Sequence, residues 1–219
     1  MKGKYLRRRF TYPAAGFAAA VGKQVVGVCP FRLLPSVATC FQPLVCFMQP
    51  ELVRIALANL RIAFPEKDER ERAALARTSI RNNVLTGLEF LWIASRPEQL
   101  SAWTNFGSER YRAIVSLASS DRPSLMLTPH LGNWEFLGQA LAADGVAVHA
   151  VAHAIRNPWL ERMISRARTQ NGLRIIREKG AARQMVRTLR SGGNVALLMD
   201  QNTRPAEGGT FADFFGLPI

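Results

Sequence analysis

The sequence lacks the cysteine pattern of disulfide-rich proteins and the glycine-rich motifs of nucleotide-binding proteins. Its three cysteines, Cys29, Cys40 and Cys46, are odd in number and lack a CxxC spacing, which argues against a disulfide framework and predicts free, buried thiols. A GxGxxG turn, a Walker A lysine loop and a zinc-ligand spacing are also missing, so a dinucleotide, nucleoside triphosphate or structural zinc site is not indicated. The chain contains no internal repeat and no low-complexity tract.

Acidic residues are scarce relative to basic ones. Asp and Glu total 16 against 29 Lys and Arg in 219 residues, a formal net charge of +13. Such an excess predicts an anionic partner, which is a nucleic acid, an acidic lipid surface or an acidic protein. Nucleic acid is the least favoured, because the basic residues are scattered and no RNP, zinc-finger or recognition-helix pattern accompanies them.

The chain also lacks the run of roughly 18 to 20 apolar residues that marks a clean transmembrane helix. Residues 1–49 begin with a basic cluster and continue as an apolar stretch that Lys23, Pro30 and other residues interrupt. We predict an uncleaved membrane anchor here, either a poor spanning helix or an interfacial hairpin, with the basic cluster facing the cytoplasm. The alternative is an ordinary amphipathic helical layer of the globule.

Beyond residue 49 the pattern is helical to about residue 121, and strands and helices then alternate. The predicted strands cover residues 124–128, 146–155, 173–177 and 194–199, and the predicted helices cover residues 132–143, 157–170 and 181–190. This alternation predicts an α/β fold with a largely parallel open sheet and flanking helices, preceded by the N-terminal helical membrane-anchor region. The predicted division is an anchor region over residues 1–49 and a catalytic domain over residues 50–219.

The segment after the first predicted strand carries the chemistry. His130 lies at the strand end where ligands of open α/β sheets gather, and histidine acts as a general base near neutral pH. Glu135 follows five positions later, where its carboxylate can turn back to orient the imidazole. Gly132 allows close backbone approach, and N–H groups at the helix start are candidate oxyanion donors. From spacing alone, an incidental pair is the competing interpretation.

Several motifs occur in the order found in one known family. In chain order they are Asn59-Leu-Arg-Ile-Ala-Phe-Pro-Glu66, His130-Leu-Gly-Asn-Trp-Glu135, Asp200-Gln201 at the end of a strand, and Phe214-Phe215-Gly216-Leu-Pro218. The chain resembles the bacterial lipid A biosynthesis lauroyl/myristoyl acyltransferase family, relatives of the glycerophospholipid acyltransferases, over roughly residues 50–219. The H-x4-E motif alone is weakly specific, and its combination with the later blocks makes the resemblance strong.

The resemblance implies a fatty acyl transfer in lipopolysaccharide biosynthesis. The donor would be an acyl thioester, usually on acyl carrier protein, and the acceptor a hydroxyl of a lipid A precursor or a related glycolipid. His130 would deprotonate the hydroxyl and Glu135 would support His130, with no metal or bound cofactor. The expected location is the cell inner membrane, with an anionic membrane surface as partner and the catalytic domain facing the cytoplasm.

Further side chains are candidates for binding substrate. The arginines are candidates because arginine binds phosphates bidentately, and the aromatic residues because they can line an acyl groove; Asp200 would position the acceptor or brace an arginine. The candidates are Arg156, Arg166, Arg168, Asp200, Phe211, Phe214 and Phe215. The competing interpretations are a solvated helix face for the arginines, a loop cap for Asp200 and core packing for the phenylalanines.

Members of this family generally continue beyond the Phe-Phe-Gly-x-Pro block with further strands and a helix. The resemblance therefore leads us to expect a chain truncated at its C-terminus. The alternative functions are a catalytically inactive, membrane-associated remnant of the same family and, less favoured, a basic nucleic-acid-binding module.

Overall fold

The computed structural model describes residues 2–103, 108–120, 122–201 and 212–218. The helices are α1 Lys2–Val28, α2 Leu34–Met48, α3 Pro50–Ala63, α4 Glu69–Ser95, α5 Leu100–Trp103, α6 Glu109–Ala118, α7 Trp134–Ala143, α8 Pro158–Thr169 and α9 Ala181–Arg190. The strands are β1 Leu125–Thr128, β2 Val148–Ala152, β3 Arg174–Arg177, β4 Asn194–Leu198, β5 Asp213–Phe214 and β6 Leu217–Pro218. The chain forms two compact units, one of Met1–Cys29 with Phe90–Met199 and one of Pro30–Glu89 with Asp200–Ile219.

A parallel sheet organises the first unit. Its strand order is β1-β4-β2-β3, and each neighbouring pair runs parallel. Because the chain enters every strand from the same edge, helices α7, α8 and α9 provide the crossovers. The predicted α/β class with a parallel sheet and flanking helices is confirmed.

The core lies between one face of this sheet and helices α6 and α7. Val148 is 1% exposed, and it packs in one cluster with Ala118 of α6 and Leu141 of α7. Asn194 fastens these layers together. Its Oδ1 accepts a hydrogen bond from the Ser124 N–H at 2.9 Å, and its Nδ2 donates to the Ala118 carbonyl oxygen at 2.8 Å. A buried amide with both ends bonded avoids the cost of an unpaired polar group.

Helix α1 packs along α8 in the same unit. Gly16 allows this approach, because a Cβ there would lie 2.5 Å from the Trp159 Cβ. The Asn157 Nδ2 donates to the Tyr12 carbonyl oxygen at 3.1 Å. Further along, the Ser95 Oγ donates to the Lys23 carbonyl oxygen at 3.0 Å. Contacts at three points therefore position α1 against the rest of the first unit.

The second unit contains α2, α3, most of α4 and the β5–β6 hairpin. Arg72 closes the turn between α3 and α4, since its guanidinium donates to the carbonyl oxygens of Phe64 at 3.1 Å and Pro65 at 2.7 Å. Among the described residues, one segment, Phe31–Met48, is long and apolar enough to cross a membrane, with a mean hydropathy of 1.3 and 11% of it buried. It lies inside the predicted anchor region of residues 1–49.

Two local predictions were wrong. The helix predicted from residue 132 begins at Trp134, because Gly132 has a left-handed backbone with φ of +63° and cannot continue a helix. All three cysteines were expected to be buried, but Cys40 is exposed and Cys29 and Cys46 are half-buried; none of the three forms a disulfide. Cys40 lies on α2, where long apolar side chains such as Phe41 are also exposed.

Candidate active site

His130 lies two residues beyond the end of β1, at the carboxyl edge of the parallel sheet. Its imidazole is held edge-on against the indole of Trp134, with ring centroids 4.7 Å apart and an interplanar angle of 76°. The residue is half-buried. This position agrees with the rule that ligands bind outside the carboxyl ends of parallel strands.

The turn after His130 places Glu135 in the first turn of α7. Gly132 adopts the left-handed conformation, and Asn133 caps the helix, since its Oδ1 accepts the Phe136 N–H at 3.0 Å. Asparagine is among the preferred N-cap residues. The sequence from Gly132 to Phe136 therefore determines where the helix begins and where the carboxylate lies.

The Glu135 carboxylate is bound by Arg168 of α8. The Arg168 Nε donates to both carboxylate oxygens at 3.2 and 3.1 Å, and the Nη2 donates to Oε1 at 2.5 Å. The Arg168 side chain is only 24% exposed and the Glu135 side chain only 13%. Partial burial strengthens such an ion pair relative to an exposed one, so the carboxylate is held in one place.

Two amide side chains support this arrangement. The Asn171 Nδ2 donates to the Gln139 Oε1 at 2.9 Å, and the Gln139 Nε2 donates to the Glu135 carbonyl oxygen at 3.3 Å. Gln139 is fully buried. The first turn of α7 is thus tied to the chain just beyond α8.

An apolar cavity of about 360 Å³ lies between α7 and the sheet. Glu135 and Arg168 are the charged residues among its described lining, and Trp134, which contacts His130, also lines it. The remaining lining residues are Ile114, Met126, Leu127, Thr128, Leu137, Gly138, Leu141, Val148, Ala150, Val151, Ala152, Leu173, Ile175, Ala196, Leu197 and Leu198. The charged pair therefore lies in the wall of a space that suits a hydrocarbon chain.

The other two histidines have different surroundings. The His149 Nδ1 lies 3.3 Å from the Asn194 carbonyl oxygen, on the sheet face opposite Val148. His153 pairs with Glu178, and both side chains are mostly exposed. The His130 ring, by contrast, packs on Trp134, a lining residue of the apolar cavity.

The predicted substrate-binding arginines lie in three settings. Arg156 is exposed just before α8. Arg166 is exposed and lines a second cavity, and Arg168 is engaged by Glu135. Their roles in substrate binding stay predictions.

The other predicted substrate-binding residues follow β4. Asp200 is exposed and comes two positions after that strand. Phe215 is 59% exposed and adopts φ of +51° in the turn between β5 and β6. Phe214 belongs to β5, with a side chain outside the described part of the chain, and Phe211 lies outside the described residues. Their roles also stay predictions.

Glu161, on α8, shows how the neighbouring electrostatics are arranged. Burial alone would raise the pKa of its carboxyl, but hydrogen bonds from the Ile155 N–H, the Ser165 hydroxyl and Arg177 outweigh burial and lower it. The Ile155 N–H donates to its Oε2 at 2.7 Å and the Ser165 Oγ to its Oε1 at 2.8 Å. Glu161 is therefore an ionised structural group that joins the segment after β2 to β3 and α8.

Within the described residues, no group of three or more His, Cys, Asp or Glu side chains is placed to hold a metal ion. Sequence reasoning missed the Glu135–Arg168 pair and the contribution of Trp134. Arg168 was predicted as a phosphate-binding candidate and not as the partner of Glu135, because the sequence does not reveal that α7 and α8 are neighbours. The one available signal for Trp134 was its place inside the His130 to Glu135 motif.

Comparison with known proteins identifies relatives of the chain. A family model described as bacterial lipid A biosynthesis acyltransferase matches residues 2–219. Lipid A biosynthesis acyltransferase 2 of Shigella flexneri is 26% identical over 166 residues, which cover 74% of this chain and 51% of that protein. Lipid A biosynthesis acyltransferase 1 of the same organism is 25% identical over 163 residues, covering 74% and 50%. The chain spans about half the length of the curated relatives it matches.

Proposed function

Because the chain belongs to the bacterial lipid A biosynthesis acyltransferases, we propose that it transfers a fatty acyl group from an acyl thioester to a hydroxyl of a lipid A precursor or related glycolipid. One observation carries the proposal. The mostly buried Glu135 carboxylate lines an apolar cavity, and Trp134, which lines the same cavity, contacts the His130 ring.

His130 is the proposed general base. A ring nitrogen of the neutral imidazole takes the proton of the acceptor hydroxyl as the hydroxyl oxygen bonds to the thioester carbonyl carbon. The tetrahedral oxyanion collapses, the carbon–sulfur bond breaks, and the imidazolium returns its proton to the departing sulfur. The products are an ester and a thiol, and His130 is neutral again. These steps require no metal and no bound cofactor.

Glu135 is the proposed orienting carboxylate, and Arg168 the residue that positions it. A carboxylate has about four lone-pair sites, so the arginine contacts leave capacity for an imidazole N–H. A fixed negative charge near His130 would stabilise the imidazolium that forms during transfer. The bidentate clamp supports this role because it restricts where the carboxylate can lie.

The apolar cavity is the proposed site for the acyl chain. Each methylene that leaves water contributes about 0.8 kcal/mol, so a cavity lined by Leu, Val, Ile and Ala side chains favours a hydrocarbon occupant. An acyl chain there would lie beside Glu135, which lines the same cavity.

The proposed donor is acyl carrier protein thioester, and the proposed location is the inner membrane with the catalytic unit in the cytoplasm. The net charge of +13 suits both an acidic carrier protein and an anionic membrane surface. The apolar segment Phe31–Met48 supports membrane attachment.

The test is acyl transfer by the full chain in neutral detergent, with an acyl carrier protein thioester and a lipid A precursor. His130→Ala should lower the rate by about 10²- to 10⁴-fold while the circular dichroism spectrum stays unchanged. His153→Ala is the matched control, because this histidine is mostly exposed and is not among the described residues that line the cavity. Turnover by His130→Ala at the wild-type rate would refute the mechanism. An inactive wild-type chain would favour the remnant alternative.

A further inference from the structure

A second cavity, which we call the basic pocket, lies between α1, α8 and β3 and has a volume of about 820 Å³. Lys23 contributes from α1, Arg162 and Arg166 from α8, and Arg177 from β3. The other lining residues are Ala20, Gln24, Met163, Ser165, Ala167, Thr169, Gln170 and Ile175. Four cationic side chains from three elements therefore line one space, and no acidic side chain is among the lining residues in the described part of the chain.

The positive charge of the basic pocket is only partly compensated. Arg177 is paired with Glu161. Arg162 stacks over the Trp159 ring at 4.7 Å and donates from Nε to the Pro158 carbonyl oxygen at 3.2 Å. Both partners are uncharged, so these contacts do not neutralise the guanidinium. Within the described part of the chain, the side chains of Lys23 and Arg166 make no hydrogen bond or ion pair.

The wall that carries Lys23 is firmly placed. Gly16 packs on Trp159 at the start of α8, and the Ser95 hydroxyl donates to the Lys23 carbonyl oxygen itself. A Cβ on Gly27, one turn further along, would lie 2.7 Å from the Ser95 Cβ. Close contacts on both sides of Lys23 thus hold its backbone, so the cationic groups are brought together by packing.

The basic pocket adjoins the apolar cavity. Ile175 lines both spaces. Helix α8 directs Arg168 into the apolar cavity and Arg166 into the basic pocket. A ligand with an anionic group and a hydrocarbon chain is the chemistry that such neighbouring spaces suit.

We propose that the basic pocket binds a phosphate group of one of the two substrates, beside the site of acyl transfer. A phosphate monoester carries about −1.5 to −2 charge at neutral pH and matches the guanidinium fork bidentately. Lys23 supplies a further point charge from the opposite wall. The choice of ligand rests on the proposed function, and the binding test of the pocket does not depend on acyl-transfer activity.

Direct binding is measured by titrating the full-length protein in neutral detergent with inorganic pyrophosphate, using isothermal calorimetry. Arg162→Ala/Arg166→Ala should weaken binding at least about tenfold, equivalent to about 1.4 kcal/mol. Lys23→Ala, from the other wall, should weaken it in the same direction. Arg183→Ala/Arg187→Ala on α9 removes the same charge outside this pocket and should leave binding within about twofold.

Two binding results would overturn the proposal. One is the absence of pyrophosphate binding by the wild-type protein. The other is an equal loss of affinity in the α9 control, which would show that only overall charge matters. If wild type binds pyrophosphate and yet transfers no acyl group, the proposed function fails while the pocket stands.

Steady-state kinetics identify which substrate supplies the phosphate. A rise in KM for the lipid acceptor alone in Arg162→Ala/Arg166→Ala assigns the pocket to a phosphate of that lipid. A rise in KM for the thioester donor alone assigns it to a phosphate on the carrier's thiol arm. An unchanged KM for both substrates would overturn the assignment to substrate recognition.

Discussion

Arg168 of α8 binds both carboxylate oxygens of Glu135 of α7, a partner 33 positions away in the sequence. The carboxylate lies in the wall of the apolar cavity and is mostly buried. Removing the arginine would leave a buried charge without its partner, which is destabilising as well as mispositioning. The pair therefore joins the local packing of α7 on α8 to the proposed chemistry.

We predict that Glu135 and Arg168 act as a unit in catalysis. Glu135→Ala and Arg168→Ala should each lower kcat severely, and Glu135→Asp should lower it more mildly. Arg168→Lys should retain only part of the wild-type kcat, because lysine lacks the planar guanidinium fork. The double alanine variant should be about as slow as the slower single variant. Additive losses in this double-mutant cycle of kcat would contradict a shared role.

The packing of α1 on α8 gives a paired test of stability. Gly16→Ala would place a methyl group 2.5 Å from the Trp159 Cβ, and overpacking of this kind costs about 1–3 kcal/mol. Gly22→Ala, in the same helix, meets nothing within 4 Å and should stabilise by up to about 1 kcal/mol through helix propensity. Thermal unfolding and hydrogen exchange of α1 measure both. Equal effects of the two substitutions would show that α1 does not pack closely at Gly16.

Glu161 should make stability sensitive to acid. Its pKa lies below the ordinary value of 4.5 in the folded protein, so the folded state gains stability above pH 4.5 and loses it as pH falls through the lowered pKa. Glu161→Gln should lower Tm at neutral pH. The difference in Tm between this variant and wild type should become smaller at acid pH. Glu178→Gln, an exposed carboxylate variant, is the control and should change Tm little. A constant difference between wild type and Glu161→Gln from about pH 7 to pH 3 would contradict the role of ionised Glu161.

Membrane attachment should depend on the apolar segment Phe31–Met48. Phe41 and Phe47 are 51% and 85% exposed, and an aspartate in a membrane-spanning helix costs about 2.5–3.5 kcal/mol. Phe41→Asp/Phe47→Asp should move the protein from the membrane pellet to the supernatant in a sedimentation assay. Leu117→Asp, an exposed leucine variant on α6, should still pellet. Full sedimentation of the double variant would contradict attachment through this segment.

Acyl carrier protein thioesters should outperform coenzyme A thioesters of the same chain length. An acidic carrier would be steered towards a chain of net charge +13, and exposed charges are screened beyond roughly 8 Å at physiological ionic strength. The advantage in initial rate should therefore shrink as salt rises. The comparison uses a chain without residues 1–9, so that the basic N-terminal cluster does not contribute. Equal rates at low salt would refute the donor assignment and leave the His130 chemistry standing.

Much of the secondary structure could be predicted, because it depends on neighbours in the sequence. Apolar periodicity placed the four strands of the main sheet within a few residues, and Gly145, Gly172 and Gly192 end the segments as glycines with positive φ do. The start of α7 was placed two residues early, since the left-handed backbone of Gly132 is a property of the folded turn. The predicted positions of His130 just after the strand end and of Glu135 in the first helical turn were confirmed, whereas their catalytic roles stay predictions.

The sequence by itself determined where the strands of the main sheet and the helices between them lie to within a few residues, because capping, periodicity and turn chemistry act over a few positions. It also determined that His130 follows β1 and that Glu135 lies in the first turn of α7, since only five positions separate them. Only the tertiary structure decided that Arg168 clamps Glu135 and that Lys23 lines a pocket with Arg166. Those contacts depend on the strand order β1-β4-β2-β3 and on the packing of α1 against α8. Burial between distant segments selects both features, and no local pattern encodes which segments will meet.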